Sequence, residues 1–187
     1  MASSDSQDQI LEAVMAVIMR EGVSGASMRT VAEEADVSVG LLSYHFDDKD
    51  SLIAAAYERA AMRLLEVTTQ AVASVDNAEA RVRAWIRGPF IDEFLASDYL
   101  GLRISLWAVA RVNKKIADVE RRLYGPYADG LTDLLAAVMP DETREDIVDR
   151  VTDVLVVQNG LWLNHARYGN PTDLERGLQR CESIALN

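Results

Sequence analysis

The sequence predicts an all-α chain in two parts, and three observations carry that reading. Apolar residues recur at three- and four-residue spacings along most of the length, which is the signature of helices with one buried face. Only four prolines and ten glycines punctuate 187 residues, so the helices can be long. No segment shows the strict apolar–polar alternation of a strand. About nine helices follow, with residues 1–48 forming a three-helix, helix-turn-helix domain and residues 49–187 a larger helical domain.

The first helix is expected from about Asp8 to Glu21, where Ile10, Leu11, Val14, Val17 and Ile18 form an apolar stripe. Gly22 can end it, because glycine reaches the left-handed conformation that closes helices. Met28, Val31, Ala32 and Ala35 give the second helix its buried face, and Ser27 is placed to cap it. Ala35-Asp36-Val37-Ser38 breaks the pattern. Ser38 offers an oxygen to a new helix start, and Leu42 and Phe46 anchor that third helix from one side. Val39, Gly40, Leu41, Ser43, Tyr44 and His45 are then left facing outward. A short helix held by a partner, with small and hydrogen-bonding side chains at its front, suits a DNA major groove.

Asp50 or Ser51 is expected to cap a long fourth helix reaching about Val72, and Ser74–Asn77 is a polar gap. The fifth helix runs from Ala78 to about Ile91 and is interrupted near Gly88-Pro89. The sixth covers about Tyr99 to Val112. Residues Ile116 to Val138 are amphipathic, but Gly125-Pro126 predicts a kink or a break. A helix beginning at Pro140-Asp141-Glu142 carries the longest stripe: Ile147, Val148, Val151, Val154, Leu155, Gln158, Leu161, Trp162 and His165. Tyr168-Gly169-Asn170-Pro171 stops it, and Thr172 or Asp173 caps a last helix with Leu174, Leu178, Cys181 and Ile184.

Composition narrows the function classes. No apolar run approaches the roughly 18–20 residues that span a bilayer, and MASSDSQDQ has no secretory pattern. A single cysteine, Cys181, fits a reducing cytoplasm. No metal-ligand spacing or cofactor loop is present, so neither a metal nor a cofactor is expected. His45 and His165 have no nucleophile or ligand partner nearby, which argues against an enzyme. The net charge of −11 is adverse for DNA binding, and residues 1–50 hold ten acidic side chains against Arg20, Arg29 and Lys49. Specific contacts and dimerisation then have to supply most of the affinity.

The run Val31-Ala32…Ala35-Asp36-Val37-Ser38-Val39-Gly40…Tyr44-His45-Phe46…Lys49…Leu52 resembles the DNA-binding signature of the TetR (tetracycline-repressor) family. Asn159-Gly160-Leu161-Trp162-Leu163, Gly169-Asn170-Pro171 and Leu106-Trp107-Ala108 are similar to the C-terminal half of its choline-sensing repressors of the glycine-betaine pathway. The resemblance implies that Arg29 reads a base and that Lys49 holds a phosphate. Arg29 can bridge the two acceptors of guanine, worth about 1–3 kcal/mol of discrimination; paired with Glu33 instead, it gains a few tenths. Ser27 and Ser38 lie at helix starts, where a phosphate can meet backbone N–H groups. Val39 and Leu41 can touch thymine methyls, and Ser43, Tyr44 and His45 can reach bases or phosphates. For Tyr44, packing on the first helix competes. With no arginine or lysine in the reading helix, guanine readout there is not expected.

The resemblance also implies a homodimer on a palindromic operator, with the last two helices as its interface: Val151, Val154, Leu155, Gln158, Leu161, Trp162, His165, Leu178 and Cys181. These residues can equally line the monomer core. The middle helices would enclose an effector, with Met62, Trp85, Phe90 and Trp107 lining the site and Asn159 and Tyr127 as polar handles. Tryptophan faces attract a cationic amine, and Glu66, Asp92 and Glu93 can add charge. Release of a repressor by its effector is the implied mechanism. The competing reading is a helical dimeric adaptor that has lost DNA binding, for which the acidic head is the best support.

Overall fold

A computed structural model describes residues 2–187, with side chains from residue 6 onward. Ten helices occur among the described residues: α1 Ala2–Gly25, α2 Met28–Glu34, α3 Val39–His45, α4 Lys49–Ala73, α5 Ala78–Arg87, α6 Asp92–Leu95, α7 Ser97–Ala110, α8 Lys114–Val138, α9 Arg144–Tyr168 and α10 Pro171–Leu186. The one beyond the expected nine is α6, a single turn. The chain divides into two compact units. Residues 1–62 and 101–123 make the first; residues 63–100 and 124–187 make the second.

In the first unit, Ile10, Val14, Val17, Val31, Leu42, Leu52, Ile53, Leu106 and Ile116 are fully buried in one core. The α1 stripe is where the spacing put it, although the helix starts at Ala2 rather than near Asp8. Gly22, at φ 73° and ψ 172°, interrupts α1 as expected; a short turn then continues to Gly25. Ser27 caps α2: its Oγ accepts from Thr30 N while Thr30 Oγ1 accepts from Ser27 N at 2.8 Å, a reciprocal capping box. Asp36 turns the chain at φ 51°, in the left-handed region that aspartate tolerates better than most side chains. Ser38 then caps α3 through Leu41 N.

In the second unit, α10 packs on α9 and α5, around Val82, Ile86, Leu131, Leu135, Val154 and Cys181. Gly177 permits the close approach, because a Cβ there would meet Leu161 Cδ2 at 2.1 Å.

Several boundaries differ from expectation. Asp48, not Asp50 or Ser51, caps α4: its carboxylate accepts from Ser51 N at 2.7 Å. The expected fifth helix stops at Arg87, with Gly88 as its C-cap, and the next long helix is Ser97–Ala110. Helix α8 runs unbroken through Pro126. Gly125, lacking a Cβ, escapes the clash that disfavours helix before proline, and buried residues on either side hold both halves. Thr143 caps α9 and Asn170 caps α10, the latter accepting from Thr172 N and Asp173 N, so Thr172 and Asp173 are inside the helix they were expected to cap.

Candidate functional site

The N-terminal head is built from two capped short helices. Leu42 is fully buried and Phe46 nearly so, and these two residues seat α3. Gln9 on α1 pins the turn before α3, its Nε2 donating to Ala35 O at 2.8 Å. On the opposite side Val39, Gly40, Leu41, Ser43 and Tyr44 are exposed. Tyr44 is 82% exposed, so the packing alternative on α1 is not realised. Its ring meets the half-buried His45 edge-on at 5.1 Å. These residues form one outward front.

Arg29 is exposed, and its Nε donates to Glu33 Oε1 at 2.9 Å. Glu33 raises the guanidinium pKa. A base contact requires only that this pair be released, and an exposed i,i+4 pair is worth a few tenths of a kcal/mol. Arg20 bridges Glu34 of α2 and its neighbour Glu21. Lys49, on the first turn of α4, donates to Ser24 O at 3.4 Å. Beside it, Lys115 of α8 holds both Asp48 oxygens, at 2.8 and 3.0 Å. Bonds from Lys115 and Ser51 hold the Asp48 carboxyl well below the usual carboxylate range.

The aromatic candidates fall into separate groups. In the second unit the Trp85 and Tyr127 rings lie 5.4 Å apart. Tyr127 Oη lies 3.3 Å from Trp85 O and 3.4 Å from Gln158 Oε1, while Gln158 Nε2 donates to Ile86 O at 2.8 Å. Trp85 Nε1 is buried and has no hydrogen-bond acceptor among the described residues. Phe90 stacks on Trp162 at 4.7 Å, and Tyr99 stands 6.2 Å from the same indole. Asn159 is exposed; its neighbour Gln158 is the buried amide, which sequence spacing alone did not distinguish.

Trp107 and Met62 belong to the first unit, and Met62 is exposed. Trp107 Nε1 donates to Glu120 Oε1 at 3.2 Å, and Tyr57 Oη donates to the other Glu120 oxygen. Burial pushes the Glu120 carboxyl up. The guanidinium of Arg103 already lies over the Trp107 ring, 4.8 Å from its centre. Glu120 is therefore a half-buried, doubly hydrogen-bonded carboxylate that sequence spacing does not single out. Only the fold brings Tyr57, Trp107 and Glu120 together. Glu66 and Glu93 instead share Arg63 on the surface, and Asp92 is exposed.

Of the residues expected at a subunit interface, Val151, Val154, Leu155, Gln158, Trp162, Leu178 and Cys181 are covered by the second unit's own helices. Leu161 and His165 are half-buried. The neighbouring outward face of α9 presents Val156, 63% exposed, and Leu163, 45% exposed. Beside it a groove is lined by Val157, Gly160, Leu161 and Asn164 of α9 and by Arg176, Gly177 and Arg180 of α10. Among the described residues no cluster of His, Cys, Asp or Glu could hold a metal, and no helix is long and apolar enough to cross a membrane.

Comparison with known proteins fits this architecture. A family model described as bacterial regulatory proteins of the TetR family matches residues 10–56, and one described as the BetI-type transcriptional repressor C-terminal domain matches residues 78–185. The nicotine-responsive transcriptional repressor HdnoR of Paenarthrobacter nicotinovorans is 30% identical, over 96% of this chain and 92% of its own. The transcriptional regulator BetI of Burkholderia thailandensis is 26% identical, over 91% and 87%. A transcriptional regulator from Pseudomonas aeruginosa PAO1 superimposes with a TM-score of 0.86 at 27% identity, covering 95% and 87%. One from Saccharomonospora viridis, solved in complex with choline, shares the fold (TM-score 0.81) at 17% identity, covering 97% and 95%.

A capped helix-turn-helix ahead of a helical body defines a DNA-binding transcription regulator rather than an enzyme. The chain belongs to the TetR family, and its C-terminal domain is of the BetI repressor type.

Proposed function

We propose that this regulator is a homodimeric repressor that binds a palindromic operator and is released by a cationic amine. The observation that carries the DNA reading is the outward front of α3: Val39, Leu41, Ser43 and Tyr44 exposed while Leu42 and Phe46 hold the helix from behind. Residues 1–48 act as the reading domain and residues 49–187 as the effector and dimerisation domain. This division is by role, since α4 begins in the first compact unit and ends in the second. Ser27, Arg29, Ser38, Gly40, His45 and Lys49 complete the DNA set, with Arg29 leaving Glu33 to reach a base. The protein acts in the cytoplasm, where the DNA is.

One head covers a few base pairs, so two heads about one helical turn apart require a symmetric dimer. The exposed apolar face of α9, with Val156, Val157, Gly160, Leu161 and Leu163, together with the α10 side of the groove, supports that dimer.

The effector reading draws on a relative described as nicotine-responsive and on a structure solved in complex with choline, and nicotine and choline each contain a nitrogen that can carry positive charge. In this chain, Trp85, Tyr127 and Phe90 supply aromatic faces, and the buried indole N–H of Trp85 lacks an acceptor that an effector hydroxyl would provide. Binding would bias α4, whose first residue is Lys49, and shift the spacing of the two heads. Such coupling is typically 1–3 kcal/mol, about 5- to 150-fold in affinity.

The test is fluorescence anisotropy on the duplex upstream of the protein's own gene, at two salt concentrations. The expected result is preference over a scrambled duplex, weakening with salt, and release by choline or a nicotine-like amine. If selection from random DNA also yields no preferred duplex, the regulator reading is lost and the adaptor reading replaces it.

A further inference from the structure

The acidity of residues 1–50 leaves a physical problem: where the phosphate-binding charge comes from. In the first unit, most cations already have anionic partners. Arg20, Arg29, Arg59, Lys115, Arg121 and Arg122 all form ion pairs, and Arg103 covers Trp107. Lys49, Arg111 and Lys114 make no ion pair among the described residues. Arg111 and Lys114 flank the exposed turn between α7 and α8, where Val112 is 85% exposed.

That turn is held firmly and beside the start of α4. Val112 N and Asn113 N both donate to Val109 O at 2.9 Å, and Asn113 caps α8 through Ile116 N. Lys115 Nζ reaches across to Asp48 and to Ser51 Oγ at 2.6 Å. Residues 47–50 alone are net negative, with three aspartates against Lys49. Adding Arg111, Lys114 and Lys115 makes the local balance positive. The first turn of α8 contains two lysines and no acid, against the preference of a helix N-terminus for negative charge. An anion supplied from outside resolves that mismatch.

We infer that the α7–α8 turn is a second contact with the DNA backbone, with Arg111 and Lys114 meeting phosphates beside the Lys49 contact and Lys115 positioning the turn through Asp48. The inference rests on the regulator reading above. DNA is then gripped by the reading head and by a turn that follows it by more than 60 residues. Because the contact is to phosphate, it strengthens binding to any sequence and adds no base preference.

The experiment is a salt titration of duplex affinity for the full-length protein and its R111A/K114A double variant. The duplexes are the one upstream of its own gene and a scrambled one of equal length. Each phosphate contact contributes about 0.9 to the slope of log affinity against log salt. In the homodimer the double variant loses two contacts from each protomer, so a fourfold rise in salt weakens it roughly a hundredfold less than the wild type. The loss in affinity should be equal on both duplexes. R81A/R144A, which removes two cations of the second unit that make no ion pair among the described residues, should match the wild type. An unchanged slope in R111A/K114A, or a loss confined to one duplex, overturns the inference. Wild-type preference between the duplexes reports separately on the regulator reading. A thermal melt confirms that the variant is folded, as exposed side chains outside ion pairs allow.

Discussion

Gly130→Ala should destabilise the protein although it replaces a helix-interior glycine with the best helix former. A Cβ at position 130 would lie 2.3 Å from Trp85 Cη2 and 2.4 Å from Cζ2, whereas packed carbons sit at about 3.5–4.0 Å. The indole would have to retreat by more than about 1 Å. It is only 7% exposed and already packed against the Tyr127 ring, 5.4 Å away. Overpacking of this kind costs about 1–3 kcal/mol, against a propensity gain of about 1 kcal/mol. The net is a loss of up to about 2 kcal/mol. Gly101→Ala in α7 is the matched control, since nothing lies within 4 Å of its added Cβ. It should gain about 1 kcal/mol. For a chain of this size each kcal/mol moves Tm by about 2–4 °C. Thermal unfolding followed by circular dichroism should therefore place Gly101→Ala above the wild type and Gly130→Ala below it. Gly130→Ala melting at or above the wild type would refute the reasoning, because it would mean that the indole can move freely. Trp85 fluorescence should shift in that variant alone.

Leu42→Ala removes the one fully buried side chain of α3; a loss of about 2–5 kcal/mol is expected, with DNA affinity falling more than the far-ultraviolet signal of the whole chain. Glu175 is held down to about pKa 2, first by its hydrogen bonds from Arg87. The folded pKa lies below the unfolded one, so its contribution is present above about pH 4.5 and disappears as pH falls toward 2. Tm of wild type and Glu175→Gln should therefore differ at pH 6 and converge near pH 2. Burial raises the Cys181 thiol to about 11, so iodoacetamide should leave it intact in the native protein at pH 8 and alkylate it in denaturant, as mass spectrometry would show.

Local chemistry made the head legible from sequence. Ser27 and Ser38 cap the helices they precede, Gly22 interrupts α1, and Leu42 with Phe46 fixes which face of α3 looks outward. All of these depend on partners within four residues, where helical geometry is fixed. Gly125-Pro126 leaves a kink and a break equally open in the sequence; the helix is continuous through Pro126, so the break does not occur, and the buried residues on either side of it lie too far along the chain for local spacing to weigh. The interface residues show a different ambiguity. A stripe such as Val151, Val154, Leu155 and Gln158 records that a helix face is covered, and not by which chain.

The sequence by itself therefore determined the helical class, the reading motif and its outward face, because each is set by short-range periodicity and capping. Tertiary structure decided what depends on residues far apart in the chain. It gathered Tyr57, Trp107 and Glu120 into one hydrogen-bonded group and put Trp85 against Gly130. It also brought Lys115 to Asp48, 67 positions away. Charge is the clearest case: composition assigns each residue its sign, but which cations remain available to a phosphate depends on which carboxylates the fold places beside them.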